Sequence, residues 1–279
     1  MTVPTHETNK QLYRDFIACT LGDDLDRLDR YVAPDYRSHA HPGVPPGPEG
    51  ERQVLAGFSG AFPDFNYQID HLLADDGHVA CVATVSGIHD GEFMGVAPTG
   101  KRFEAQVADI MRVEDGKLAE HWSVFDSASM LRQLGLGEGD ADIAEQHKEL
   151  YHGFLERLMS PDLAGLEDYL TPTYFSHSHE APPGPDGERE LVQEFRDPFP
   201  DFHYTVKTMV ADGTTVASLA TVTGTHRGEF LGHAGTGKTF EVLTLDFTHV
   251  EDGKFAEHRG VYEEPLMYEQ IGIAPPEAV

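Results

Sequence analysis

Cysteine is nearly absent from this chain of 279 residues. Cys19 and Cys81 lie far apart and without the short spacings of redox or metal motifs, which excludes a disulfide scaffold and a thiolate metal centre. Two reduced, packed thiols are the expectation, in a cytoplasmic protein. Basic residues are also scarce, 20 Lys and Arg against 48 Asp and Glu, so the net charge is −28 and is spread over both halves. A surface of that sign repels phosphate backbones, and nucleic acid is not an expected partner. No apolar run reaches the ~20 residues that span a bilayer, so no membrane association is expected. The opening "MTVPTHETNK" lacks the basic-then-apolar order of a secretory signal.

What the chain does have, it has twice. "LYRDFIACTLGDDLDRLDRYVAPDYRSHAH" (12–41) returns as "LYHGFLERLMSPDLAGLEDYLTPTYFSHSH" (150–179), and "GEFMGVAPTGKRFE" (91–104) as "GEFLGHAGTGKTFE" (228–241). The two offsets, 138 and 137, differ by one residue lost in the Pro/Gly loop between them. A period this long is a domain duplication rather than a solenoid repeat. Domains over 1–137 and 143–279 follow, joined through the Gly-rich, acidic "GLGEGDAD" (135–142).

Each copy reads as helices followed by strands. Leu12, Phe16 and Cys19, then Leu25, Leu28 and Tyr31, have helical spacing, and "EGERQVLAGFSGAF" predicts a further helix stopped by Pro63. Strands are predicted at "NYQIDHLLAD", "HVACVATVSG", "KRFEAQVADIMRVE" and "KLAEHWSVF". The expected class is α+β: an antiparallel meander curling over N-terminal helices, with a pocket between helices and concave sheet.

The turn "VEDGK" decides which side chains share a face. Asp-Gly can form a two-residue turn, which would place Asp109 opposite Trp122. Hydrophobic alternation favours instead a three-residue loop with Gly116 left-handed, which would set Asp109 directly opposite His121 and Val107 opposite Ser123. One apolar face then carries Phe103, Ala105, Val107, Asp109, Met111 and Val113, with Ala119, His121, Ser123 and Phe125 across from them. In the second copy Asp246 meets His258, with Gly260 and Tyr262 nearby. A carboxylate beside an imidazole in an apolar cavity is either a general acid/base pair or a buried hydrogen bond that satisfies two polar groups. Duplication copies scaffold and site alike, so it does not choose between them.

The other faces of these strands carry Ile110, Trp122 and Val124, and Leu243, Leu245, Phe247 and Val261. Apolar outer faces want cover, which suggests that the repeats pair sheet to sheet as an intramolecular pseudo-dimer. "SHAH" and "SHSH" place His39 and His41, and His177 and His179, in His-x-His order. Both imidazoles would face one side of an extended segment, as rim residues of the pocket; without a third ligand at local spacing, no metal is assigned. His71, His78, His89, His226 and His233 are expected at the surface or in packing. "GVAPTGK" and "GHAGTGK" lack the full phosphate-loop spacing and read as hairpin turns.

"HPGVPPGPEG", "AFPDF", "GEFMGVAPTGKRFE", "DIMRVEDGKLAEHW" and the closing "LRQLG" together resemble the SnoaL-like polyketide cyclases, across essentially the whole of each repeat. The resemblance implies a cone-shaped α+β barrel of the nuclear-transport-factor-two-like superfamily. It also implies ring closure by intramolecular aldol condensation without metal or cofactor. In that family an Asp just after the His of the "EHW" stretch serves as acid/base, with a His on the neighbouring strand. Those positions fall here at Ser123 and Gly260, and at Asp109 and Asp246, so the carboxylate has crossed the strand pair to stand beside His121 and His258.

Two functions are therefore expected. One is a cofactor-independent enzyme of the cyclase type acting on a small, largely apolar organic substrate. His121 or His258 would then be base or acid, Asp109 or Asp246 would orient it, and His39, His41, His177, His179, Ser123, Phe125 and Tyr262 would contact substrate. The other is a non-catalytic small-molecule-binding or stress-associated protein using the same cavity. The first copy keeps "HPG" and "APTGK" and the second keeps Tyr262, which leaves open whether one repeat works or both.

Overall fold

The computed structural model describes residues 6–22, 25–41, 43–137, 141–177 and 181–275. The chain divides into two compact units, Met1–Ala141 and Asp142–Val279. In the first, α1 (His6–Thr20) leads through a 3₁₀ turn (Leu25–Arg30) into β1 (Val32–Ser38) and α2 (Pro48–Ala61). Four strands follow, β2 (Asn66–Ala74), β3 (His78–Ile88), β4 (Arg102–Glu114) and β5 (Lys117–Phe125), and α3 (Ser127–Leu134) closes the unit. The second unit repeats this order. It runs α4 (Ala141–Met159), a 3₁₀ turn (Leu166–Asp168), β6 (Leu170–Ser176), α5 (Pro185–Arg196), β7 (His203–Ala211), β8 (Thr215–Thr225), β9 (Thr239–Glu251), β10 (Lys254–Tyr262) and α6 (Glu264–Ile271).

Each unit has one five-stranded sheet, ordered β1-β5-β4-β3-β2 and β6-β10-β9-β8-β7. The four long strands form the expected antiparallel meander. The fifth was not expected: β1 lies parallel beside β5, and β6 beside β10, so each sheet is mixed rather than wholly antiparallel. Pro34 lies within β1 and Pro172 within β6. Both strands occupy a sheet edge, where the missing amide donor of proline costs no ladder bond.

The register at the strand turn also differs from expectation. Asp115 and Gly116 both take positive φ, 49° and 73°, as do Asp252 and Gly253 at 49° and 74°. These are two-residue turns of the primed type, and they pair Glu114 with Lys117 and Glu251 with Lys254. Left alone, that pairing would set Asp109 across from Trp122. A bulge at Ala119, and at Ala256 in the second copy, inserts one residue and restores the parity. Asp109 therefore stands opposite Ser123, and Met111 opposite His121. The expected face is kept, with each residue displaced by one cross-strand pair.

The helices close over that face. In the first unit Tyr13, Phe16, Leu28, Phe62, Phe103 and Leu118 are buried in one continuous cluster that reaches Leu134 of α3. In the second unit the equivalent residues divide into two clusters. One is built on Tyr151, Phe154 and Phe255, the other on Phe199, Phe240, Met267 and Tyr268. Among the described residues, no helix is long and apolar enough to cross a membrane.

Candidate functional site

Members of both clusters in the second unit line a cavity of about 430 Å³. Its wall is largely aromatic and aliphatic, with Asp246, His258 and Gly260 among its polar or open positions. β9 and β10 bring the pair together as diagonal neighbours. His258 Nε2 lies 3.1 Å from Asp246 Oδ1, and His258 Nδ1 lies 3.0 Å from the Ser176 hydroxyl at the end of β6. The Tyr204 hydroxyl donates to Asp246 Oδ2, and Thr244 Oγ1 lies 3.3 Å from each carboxylate oxygen.

The first unit holds the same arrangement in tighter form. His121 Nε2 is 2.8 Å from Asp109 Oδ1, and His121 Nδ1 is 3.3 Å from Ser38 Oγ, which itself lies 3.2 Å from His41 Nδ1. Asp109 Oδ2 accepts from Tyr67 at 2.6 Å and from Tyr13 at 3.0 Å. Ser123 stands directly across the strand pair from Asp109. Where Ser123 stands, the second unit has Gly260, and a Cβ there would sit 2.6 Å from Asp246 Oδ1. With no side chain at Gly260, that oxygen lacks the cover a Cβ would give, and Asp246 and Gly260 both line the cavity.

The electrostatics of the pairs follow from these contacts. Burial disfavours charge on His121 and His258, but the hydrogen bond and negative charge of the aspartate outweigh it, and both imidazoles bind protons more tightly than usual. Burial likewise works against an ionised Asp109. The His121 bond and charge, with the Tyr67 bond, reverse it and hold this carboxyl below its usual range. Burial pushes the Tyr13, Tyr67 and Tyr204 hydroxyls well up, reinforced by the nearby aspartate, so they stay neutral donors. Burial also raises the Cys81 thiol, aided by Asp109, which removes it as a nucleophile. On α2 and α5, buried Glu51 and Glu188 are raised by burial against the opposing charge of His121 and His258.

The two histidines of "SHAH" do not share a side. His39 Nε2 contacts Glu120 Oε2 at 3.0 Å and its ring stacks on Trp122 at 4.8 Å, on the face away from Asp109. His41 turns to Ser38, on the side of His121. β1 ends at Ser38, so the strand alternation behind the shared-side expectation does not extend through His41. His177 contacts Glu257 and Arg259 rather than Asp246. His179 lies outside the described residues. No group of three or more His, Cys, Asp or Glu stands together as a metal site among the described residues. Phe125 packs against the first unit's core, and Tyr262 lines the cavity of the second. His89 and His226 are fully buried packing residues whose Nδ1 accepts from the amide of Thr99 and Thr236.

The phenols on the carboxylates, Tyr13, Tyr67 and Tyr204, were not singled out by the sequence reasoning, nor were Ser38, Ser176, Glu51 and Glu188. Their signal was present, since each recurs at the repeat offset: Tyr13 with Tyr151, Tyr67 with Tyr204, Ser38 with Ser176, Glu51 with Glu188.

Fold and site define a class: a curved mixed sheet, helices over its concave face, and a buried carboxylate–imidazole pair on the two central hairpin strands. The family profile described as SnoaL-like polyketide cyclase matches residues 10–134 and again 148–271, and the chain belongs to that family, with two copies in one polypeptide. Among characterised relatives, nogalonic acid methyl ester cyclase of Streptomyces nogalater is 30% identical over 113 residues, 39% of this chain and 84% of that protein. Among solved structures, TsrD of Streptomyces laurentii is 30% identical, with a TM-score of 0.45, covering 47% of this chain and 97% of TsrD. IdmH of Streptomyces antibioticus, a candidate polyketide cyclase, is 31% identical with a TM-score of 0.41, covering 45% of this chain and 98% of IdmH.

Proposed function

We propose that this protein is a cofactor-independent cyclase that performs acid/base chemistry on a small, largely apolar organic substrate, with the second repeat carrying the reaction. The observation that supports this most is Asp246, paired through Oδ1 with His258 and lining an aromatic-walled cavity where Gly260 has no side chain. Both ring nitrogens of His258 and both oxygens of Asp246 have protein partners, but Asp246 Oδ1 has the bare Gly260 beside it, so the proposal exchanges the roles expected from sequence. Asp246 meets the substrate, and His258 and Tyr204 position and tune it.

In the proposed step, Asp246 takes a proton from a carbon next to a carbonyl group. The resulting enolate carbon forms a bond to a second carbonyl carbon of the same molecule, whose π electrons move to its oxygen. That oxygen then receives the proton held by the Asp246–His258 pair, and a ring is closed with no net gain or loss of atoms.

Nogalonic acid methyl ester, the compound in the relative's name, is the first substrate to test. Ring closure followed by chromatography is expected with the wild-type chain and is expected to be lost in the Asp109→Asn/Asp246→Asn double variant. Undiminished conversion by that variant ends the proposal. A binding role without turnover is favoured by one observation common to both repeats, where each oxygen of Asp109 and Asp246 and each nitrogen of His121 and His258 already has a protein partner.

The sheet-to-sheet pairing of the repeats is likewise proposed, on the apolar outer faces of the strands. One compact particle in small-angle X-ray scattering agrees with it, and two separated lobes contradict it.

A further inference from the structure

The second repeat carries a second polar cluster that the proposed chemistry does not use. At the start of α6, Glu264 lines the cavity together with Tyr262 and Tyr268. The Tyr262 hydroxyl donates to Glu264 Oε1 at 2.9 Å, and the Tyr268 hydroxyl donates to the same oxygen. Both phenols thus converge on Oε1 and leave Oε2 the less engaged acceptor. Tyr268 is buried, and burial together with the Glu264 bond raises its hydroxyl far above the ordinary range, so it stays a donor.

The first repeat has nothing comparable. At the offset of 137 its equivalents are Phe125, Ser127 and Leu131, which retain no carboxylate and no phenol. The duplication has therefore kept the aspartate–histidine pair in both copies and placed this cluster in one.

We infer that Glu264, held by Tyr262 and Tyr268, is a specificity-determining subsite of the second repeat's cavity that accepts a hydrogen bond from a hydroxyl group of an uncharged aromatic ligand. A hydrogen bond to a charged acceptor in a partly dry cavity is among the stronger ones a neutral hydroxyl can make. Glu188, Asp246 and Glu264 all line the same space, so an anionic ligand meets acids on several sides. The two phenols already share the charge of Glu264, which removes the need for a countercation. This rests on the proposed use of the second cavity and adds to it the chemical character of what enters.

The test is calorimetric titration of the full chain with 2-naphthol, its isostere 2-methylnaphthalene and the anion 2-naphthoate. 2-Naphthol is expected to bind roughly tenfold or more tightly than 2-methylnaphthalene, and 2-naphthoate more weakly than either. In Glu264→Leu the preference for the hydroxyl is expected to fall to about one, with affinity for 2-methylnaphthalene kept; Glu264→Gln, which retains an acceptor oxygen, is expected to keep part of it. Failure of 2-naphthol to bind the wild-type chain, a wild-type ratio near one, or a ratio unchanged in Glu264→Leu overturns the inference. Asp246→Asn separates this from the catalytic reading. A preference lost there but kept in Glu264→Leu places the hydroxyl at the aspartate, which overturns the subsite and leaves the acid/base proposal standing. Turnover unaffected by Asp246→Asn defeats the acid/base proposal and leaves the subsite intact.

Discussion

Asp246→Asn is expected to lower kcat by about 10²–10⁴-fold, the usual worth of a positioned acid/base group. The substitution keeps the shape of the side chain and removes its charge and its capacity to take a proton. Tyr204 can still donate to an amide oxygen, and the aromatic wall is untouched, so KM is expected to change little. A loss confined to kcat is the signature of a group that acts in the chemical step. A loss confined to KM would make Asp246 a binding residue. The same substitution at Asp109 measures the share of turnover carried by the first repeat, whose carboxylate is enclosed by Tyr13, Tyr67, Ser123 and His121.

The largest expected effect on stability is at Phe199. Its side chain is fully buried and stands 5.0 Å from the rings of Phe195 and Phe230, 5.1 Å from Phe240 and 5.5 Å from His226. Phe199→Ala removes the common partner of all four, and a hole among rings on several elements cannot collapse easily. A cost of about 3–5 kcal/mol follows, enough to lower the melting temperature by roughly 10 °C. Phe230 and Phe240 also line the cavity, so ligand affinity should fall with stability. A cost below about 1 kcal/mol would mean that these rings do not form the support described here.

The long strands and main helices were legible because hydrophobic period and turn residues agreed. β2 to β5 lie within one residue of the ranges read from alternation and from Gly and Asp breakers. β1 and β6, which carry Pro34 and Pro172, were not predicted, since edge position is a property of the sheet and is not written locally. The face shared by Asp109 and His121 was readable from parity. The bulge at Ala119 was not, because a bulge answers to the pairing of β5 with both neighbours, β4 on one side and β1 on the other. The same limit applies to the site. Asp and His stood out by residue type, whereas Tyr13 and Tyr67 sit 54 positions apart and meet on one carboxylate only after folding.

The difference between the repeats is carried by a few substitutions on a common frame. Ser123 against Gly260 decides whether the carboxylate is covered, and Phe125, Ser127 and Leu131 against Tyr262, Glu264 and Tyr268 decide whether the cavity has a second polar pole. Both copies give each carboxylate oxygen a protein partner, and the second copy also sets its aspartate in the wall of a cavity.

The central claim is that Asp246 and His258 form one coupled unit at the cavity, and ¹⁵N NMR of the histidine side chains across pH tests it without any substrate. The His258 signal is identified by its loss in His258→Gln. Its imidazole is expected to titrate above the ordinary value of about 6.5 and to shift downward in Asp246→Asn, where burial acts without the opposing carboxylate. Because the folded-state value is raised, the pair's contribution to stability is present below about pH 6.5 and is lost as pH rises through the folded value. A His258 that titrates at or below the ordinary value in the wild-type chain, and does not move in Asp246→Asn, contradicts the account.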